Sequence, residues 1–237
     1  VTASPPTSTP TLAGLCERAR ALVGDGRRRV LLGITGSPGA GKSTLVERLC
    51  AALEPAPPAG LAAGEWVAPV PMDGFHLADV ALERLGLRDR KGAPETFDAG
   101  GYRALLRRLR ADDEAVVYAP AFERTLEQPL AGAIVVPRAA RLVLTEGNYL
   151  LVDDEVWRPV AAVLDEVWFC ALREDVRLAR LVARHVAFGK EPGFARRWVR
   201  DVDGPNAMLV AGTARRADLV VPSAVLEEID GGCRGER

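Results

Sequence analysis

The chain has 237 residues, of which 48% are hydrophobic, with 31 lysines and arginines against 32 aspartates and glutamates. That near-neutral balance excludes binding driven by a general attraction to a nucleic-acid backbone, and no segment approaches the about 18 uninterrupted apolar residues of a membrane helix. The length suits one α/β domain with room for a lid, expected over residues 11–237 after a loose Ser/Thr/Pro-rich tail at 1–10 that is neither a signal peptide nor an anchor.

Thr9 and Pro10 read as the cap and first residue of a helix in which Leu12, Leu15, Cys16, Ala19, Leu22 and Val23 recur at helical spacing until Gly24. Val30 to Ile34 is a short continuous apolar run of the kind buried on both faces of a parallel sheet. From Ser43 the pattern becomes Leu45, Val46, Leu49, Cys50 and Leu53, which is helical, and the Pro/Gly/Ala stretch 55–64 is a connection within the domain. Further strands are predicted at Trp66 to Met72, Ala115 to Tyr118, Ala133 to Val136, Arg141 to Thr145, Glu166 to Cys170 and Asp218 to Val221. Helices are predicted over Leu77 to Leu85, Asp98 to Arg110, Asp154 to Leu164, Arg173 to Phe188 and Gly193 to Ala211, with Asp98 and Asp154 as N-caps. This alternation predicts a three-layer, doubly wound α/β fold around a mainly parallel five-stranded core. Cys16, Cys50, Cys170 and Cys233 have no metal-ligand spacing, which points to a reducing cytoplasm.

Between the first strand and the second helix stands Gly36-Ser37-Pro38-Gly39-Ala40-Gly41-Lys42-Ser43, a full G-x-x-x-x-G-K-[ST] match, followed by Thr44. Its glycines let the backbone turn so that successive N–H groups face phosphate oxygens, and the helix start adds the positive end of its dipole. Lys42 is expected to reach the β- and γ-phosphates of a nucleotide and Ser43 to ligate Mg²⁺. The plainer reading, a glycine turn with a solvated lysine, is disfavoured by the flanking strand and helix. Asp73 follows the second strand, and the carboxyl ends of strands line the ligand crevice of such a sheet. It is placed to face the γ-phosphate and to take a proton from an attacking hydroxyl, or else to cap the next helix. Glu146 ends another strand as a second acid near the metal, or pairs with an arginine. Arg173, Arg177, Arg180 and Arg184 recur on one helical face, and Arg196, Arg197 and Arg200 follow. Guanidinium forks suit phosphate oxygens, and such a face also serves as ordinary solvated surface. His185 reads as a packing or capping residue.

The phosphate loop, Met72-Asp73-Gly74-Phe75-His76, Arg90-Lys91-Gly92-Ala93-Pro94-Glu95-Thr96-Phe97-Asp98 and Tyr118-Ala119-Pro120-Ala121-Phe122-Glu123-Arg124 occur in this order, and over nearly its whole length the chain resembles the pantothenate kinase, uridine kinase and phosphoribulokinase group of P-loop kinases. The resemblance implies a three-layer P-loop NTPase fold with a mainly parallel sheet and a helical lid at about residues 173–200. It implies ATP and Mg²⁺ as cofactors, Lys42 and Asp73 as catalytic residues, and lid arginines among Arg177, Arg180 and Arg184 that contact ATP phosphates on closure. By position it assigns His76, Lys91, Tyr118, Phe122 and Arg124, with Asp73, to the acceptor site. Pro205-Asn206 followed by Arg215-Arg216-Ala217-Asp218 resembles the C-terminal end of the pantothenate kinase type and adds Arg215 to the nucleotide site. Phe-Glu-Arg stands where typical members have a tyrosine-centred loop, and the closer resemblance is to kinase-like members, some named sugar kinases. The implied reaction transfers the ATP γ-phosphate to a hydroxyl of a nucleoside-, pantothenate- or sugar-like metabolite, with no nucleic-acid or membrane partner and a homodimer left open. The rival is a regulatory P-loop ATPase without an acceptor, which would need neither Asp73 nor the loop at Tyr118 to Arg124.

Overall fold

A strand buried at every residue needs cover on both faces, and Val30–Thr35 is buried throughout. In the computed structural model, which describes residues 10–234, the elements run α1 (Leu12–Val23), β1 (Val30–Thr35), α2 (Lys42–Leu53), β2 (Val67–Pro69), α3 (Asp79–Leu85), α4 (Ala99–Ala111), β3 (Val116–Glu123) and β4 (Gln128–Pro137). They continue as β5 (Leu142–Glu146), α5 (Arg158–Ala161), β6 (Glu166–Ala171), α6 (Glu174–Ala187), α7 (Pro192–Trp198), α8 (Gly204–Ala211), β7 (Leu219–Pro222) and α9 (Ser223–Arg234). The main sheet has the order β2-β5-β1-β6-β7 with every pairing parallel. Side chains alternate across it. Leu31, Val143, Val167 and Phe169 pack with Tyr102, Leu105 and Leu106 of α4, whereas Leu32, Ile34, Leu144 and Trp168 pack with Leu15, Leu45, Leu49 and Leu226 of α1, α2 and α9. The predicted three layers and five-stranded core are present, and all five strands deliver their carboxyl ends to one edge.

Local chemistry explains where the elements depart from the sequence pattern. α1 is capped by Thr11, whose hydroxyl accepts from Gly14 N at 3.1 Å; Thr9, the expected cap, lies outside the described residues. The second strand stops at Pro69, and Met72 belongs to a 3-10 turn, Met72–Phe75. The runs at 115–118 and 133–136 extend into a separate antiparallel hairpin, β3 with β4, irregular between Ala119 and Ala121 around Pro120, which has no N–H to give a ladder. The helix expected over Asp154 to Leu164 shrinks to the single turn α5, with Pro159 in its first turn, while Asp154 Oδ1 accepts from the amides of Val156 and Trp157 at 2.9 and 2.7 Å. The helix expected over Gly193 to Ala211 is broken into α7, a π-type turn Val199–Asp203 and α8, because Pro205 cannot donate to the carbonyl four residues back. Among the described residues no helix is long and apolar enough to cross a membrane.

Arg29, just before β1, is fully buried. Its Nε donates to Ala140 O (2.7 Å), Nη1 to Leu109 O (3.0 Å) and Nη2 to Pro137 O (3.1 Å), and Nη2 also pairs with Asp112 Oδ1 at 3.0 Å. One guanidinium thus ties the end of α4 and the end of β4 to the start of the central strand. Burial pulls its pKa below the ordinary arginine value, against the attraction of Asp112. Replacing it by alanine removes a buried donor shared by three carbonyls and leaves Asp112 without that partner, so Arg29→Ala should lower unfolding free energy by about 3 kcal/mol, read from urea denaturation. A loss within experimental error would remove this clamp from the account of the fold.

Candidate active site

After β1 the chain turns through 36–41 into α2. Gly39 and Gly41 have φ of 81° and 89°, in the left-handed region, and a Cβ on Gly39 would come within 2.7 Å of Leu181. The first-turn amides of α2, at Lys42, Ser43 and Thr44, have no carbonyl partner inside the helix, and Gly41 offers no side chain to cap them. That leaves a concave set of donors suited to an anion. Lys42 is 8% exposed, and its Nζ donates to Gly36 O (3.0 Å), Ser37 O (3.3 Å) and Asn148 Oδ1 (2.7 Å). Burial pushes the ammonium below its ordinary pKa, while Glu146 and Asp73 hold it up. The loop is fixed from outside by Ser37 Oγ, which donates to Ala207 O (3.2 Å), and by Arg177 Nη1, which donates to Pro38 O (2.9 Å).

The acids come from the two strands on one side of β1. Glu146, at the end of β5, accepts from Ser43 Oγ at 2.9 Å; burial and the nearby Asp73 raise its carboxyl pKa. A hydroxyl and carboxylates converging here form the hard-oxygen donor set that Mg²⁺ takes, with phosphate and water completing the sphere. Asp73 lies in the 3-10 turn after β2, and α3 starts after Ala78 without a side-chain cap, so Asp73 caps neither. The turn is pinned by close approach: a Cβ on Gly74 would meet Pro120 O at 2.2 Å, and one on Gly147 would meet Met72 at 2.6 Å. His76 Nδ1 donates to Asp73 O at 2.8 Å, and its ring stands 4.0 Å from Phe97 and 4.7 Å from Phe122. Burial lowers the His76 pKa, which disfavours the charged ring beside these aromatics.

These groups share a cleft of about 420 Å³. Pro38, Gly39, Lys42 and Ser43 line one part of it together with Asp73 and Glu146. His76, Lys91, Phe122, Arg124 and Arg184 also line it. Lys91 Nζ donates to Asp79 Oδ1 at 2.7 Å and stands 5.4 Å from the Phe122 ring centre. Tyr118 is not among the lining: it is 59% exposed on β3, before the irregularity that re-aims Phe122 and Arg124. Arg215 sits exposed in the 3-10 turn Ala214–Arg216, outside the cleft lining.

The three arginines expected to belong to a lid have different surroundings. Arg177 is 2% exposed and spends its donors on Pro38 O and on Glu174. Arg180 pairs with Asp230 of α9 at 3.0 Å. Arg184 lines the cleft, its guanidinium making no hydrogen bond or ion pair among the described residues, and burial and Arg124 lower its pKa. Three contributors went unread in the sequence: Asn148, Asp203 and Lys190. His185, read as packing or capping, lines the cleft with its Nε2 3.0 Å from Asp203 Oδ2 and its Nδ1 3.1 Å from Lys190 Nζ. Asn148 was findable, since it stands two residues past the strand that ends in Glu146. The Asp203 contact spans the broken helix and carries no spacing signal.

The MeaB family model, described as methylmalonyl-CoA mutase-associated GTPase, matches residues 10–68, a span that holds the phosphate loop and stops before Asp73. The chain is 35% identical over 197 residues to YggC of Escherichia coli, an uncharacterized protein, covering 82% of this chain and 78% of that one. It is 34% identical over 167 residues to a Schizosaccharomyces pombe protein provisionally named a uridine kinase, with 69% of each covered. A solved structure from Silicibacter sp. TM1040, provisionally named a fructose transport system kinase, superposes with a TM-score of 0.79 at 38% identity, over 90% of this chain and 100% of that one. The fold is shared also with Saccharomyces cerevisiae YFH7, TM-score 0.73 at 20% identity, over 90% and 98% of the two chains.

The division among the arginines has a measurable consequence. Arg184→Ala should weaken binding of a non-hydrolysable ATP analogue about tenfold, roughly 1.4 kcal/mol, with little change in melting temperature. Arg177→Ala should instead lower stability by about 2 kcal/mol through its broken buried contacts. Calorimetric titration and thermal melts of the two variants distinguish these roles, and an Arg184→Ala protein that binds the analogue like wild type would contradict the assignment.

Proposed function

The chain belongs to the P-loop kinases of the pantothenate kinase, uridine kinase and phosphoribulokinase group, and from that footing we propose that it transfers the γ-phosphate of ATP to a hydroxyl group of a small metabolite. The observation that carries this reading is the meeting of Lys42, Asp73 and Glu146 in one cleft that also holds His76, Phe97 and Phe122. A nucleotide switch has no use for that aromatic wall.

The glycine cradle and the first turn of α2 bind the phosphates, and Lys42 trades its three protein acceptors for β- and γ-phosphate oxygens. Ser43 and Glu146 would hold Mg²⁺, which when bound supplies charge neutralisation at those phosphates. The acceptor oxygen forms its bond to the γ-phosphorus as the bond to the bridging oxygen breaks, and ADP leaves with the electron pair. Asp73 takes the hydroxyl proton. Arg124 and Arg184, which line the cleft without ion-pair partners among the described residues, would stabilise charge that shifts during transfer. The His76 ring between Phe97 and Phe122 offers a flat face, and Lys91, Asp79 and Glu127 offer polar contacts beside it. A ring or short carbon chain bearing several hydroxyls fits that mixture, which keeps nucleosides, pantothenate and sugars as the acceptor classes.

ADP release should depend on one member of a panel of nucleosides, pantothenate, ketoses and aldoses, with a product heavier by one phosphoryl group on mass analysis. ADP release indifferent to every acceptor would favour a regulatory ATPase. Asp73→Asn keeps the shape and removes the base, so it should lower kcat about 10²-fold or more while ATP binding stays near wild type. Lys42→Ala should lower turnover by orders of magnitude without unfolding the chain. Wild-type kcat in a folded Asp73→Asn protein would sink the acceptor chemistry.

A further inference from the structure

The turn after β5 is fastened by four hydrogen bonds. Gly147 N donates to Ile34 O at 3.0 Å and Thr35 Oγ1 donates to Asn148 O at 3.1 Å, which binds the turn to the end of β1. The Asn148 side chain then accepts from the Lys42 ammonium at 2.7 Å. The next residue, Tyr149, is fully buried and donates its hydroxyl to Gly92 O, beside Lys91. Two consecutive residues therefore hold opposite ends of the cleft, one the phosphate-loop lysine and the other the acceptor loop 88–97.

That loop has little regular structure of its own. It consists of the 3-10 turns Arg88–Arg90 and Pro94–Thr96 joined through Gly92, whose φ is 103°. Its internal ties are short-range, such as Gly92 N to Thr96 Oγ1 at 3.0 Å and Thr96 Oγ1 to Ala93 O at 2.7 Å. Position in the cleft must come from anchors outside it. Lys91 has Asp79 and the carbonyl of Glu127, Thr96 O accepts from Leu77 N at 2.9 Å, and Tyr149 supplies a further anchor by hydrogen bond and by ring contact. The Tyr149 ring centre is 5.6 Å from Phe97 and 5.4 Å from Trp157, and Phe97 is the ring that stacks 4.0 Å from His76. His76 in turn holds the backbone carbonyl of Asp73.

Lys42 cannot keep Asn148 as its acceptor and also give all its donors to phosphate oxygens. When phosphates take the ammonium, the Asn148 side chain loses a partner at 2.7 Å and re-forms its contacts, next to the residue that anchors the acceptor loop. A contiguous packed and hydrogen-bonded chain of this kind can carry coupling between two sites, and coupling is what has to be measured.

We propose that Asn148 and Tyr149 are positioning residues that transmit occupancy of the phosphate loop to the acceptor loop 88–97, so that nucleotide binding settles Lys91 and Phe97 before the acceptor enters. The inference rests on the reading of the cleft as an ATP site. Neither side chain is assigned to the reacting atoms. Tyr149→Phe isolates the link, because it keeps the ring contacts with Phe97 and Trp157 and removes only the hydroxyl that reaches Gly92.

The test is amide hydrogen exchange of the full chain with and without Mg²⁺ and a non-hydrolysable ATP analogue, read by peptide mass. In the wild-type protein, analogue binding should slow exchange at least threefold in both 36–44 and 88–97. In Tyr149→Phe the slowing in 36–44 should persist, with analogue Kd within threefold of wild type, while the slowing in 88–97 disappears. An unchanged response of 88–97 in the variant, or no response there in the wild type, overturns the proposal. Failure of the analogue to bind the wild-type chain at all overturns the ATP-site reading, and the coupling with it. Should Tyr149→Phe not fold, Asn148→Ala cuts the same path at its other end and is read by the same loss in 88–97, and retention of the response there overturns the proposal equally.

Discussion

A lysine ammonium that is 8% exposed must be surrounded by acceptors, and the architecture of this protein is arranged around that requirement at Lys42. Two carbonyls of its own loop and the amide oxygen of Asn148 satisfy the hydrogen bonds, while Asp73 and Glu146 supply negative charge nearby. These groups arrive from the carboxyl ends of β1, β5 and β2. The sheet order β2-β5-β1 makes those strands neighbours, so three segments far apart in sequence end side by side. Parallel pairing is the reason they all end on one edge.

The same edge carries an imbalance that suits a polyanion. Arg124 and Arg184 face the cleft without ion-pair partners among the described residues, and Glu146 has its carboxyl pKa raised by burial and by Asp73. Without a bound anion, like charges crowd each other on both sides of the ledger. Phosphate oxygens would relieve the cationic side and a divalent ion would relieve the acidic side, so two such ligands would support each other electrostatically.

Helix α6 divides its arginines between contacts within the fold and the lining of the cleft. Arg177 reaches back to Pro38 O and fixes the outer wall of the phosphate loop, which also explains why Gly39 must lack a Cβ beneath Leu181. Arg180 is held by α9. Further along, His185 ties α6 to Asp203 in the π-type turn, and Lys190 lies 4.4 Å from the Trp198 ring centre, so the broken helix is closed over the cleft by a short polar chain. The proline that interrupts the helix is what brings Asp203 into that position.

The amino-acid sequence by itself determined the features whose requirements are local: the glycine loop, whose left-handed residues and missing Cβ atoms are written in consecutive positions, the buried runs that become parallel strands, and the acids that sit at strand ends. Asp73 and Glu146 were legible because in a parallel sheet the end of a strand is already an address. Tertiary structure alone decided which like residues do different work. Arg177, Arg180 and Arg184 have the same chemistry at helical spacing, and Pro38 and Asp230, from elsewhere in the chain, set the first two apart from Arg184, which has no ion pair among the described residues. Tyr118 and Phe122 would share a face in a regular strand, and the irregularity at Pro120 sends one out to solvent and the other into the cleft. The expected helices at 154–164 and 193–211 failed where a proline removed one backbone donor, and a periodic pattern of apolar side chains carries no record of that loss. The link from Asn148 and Tyr149 to the two ends of the cleft was unreadable for the same reason: hydrogen bonds depend on distance and angle in space, and residues 42, 92 and 148 meet only after the sheet has formed.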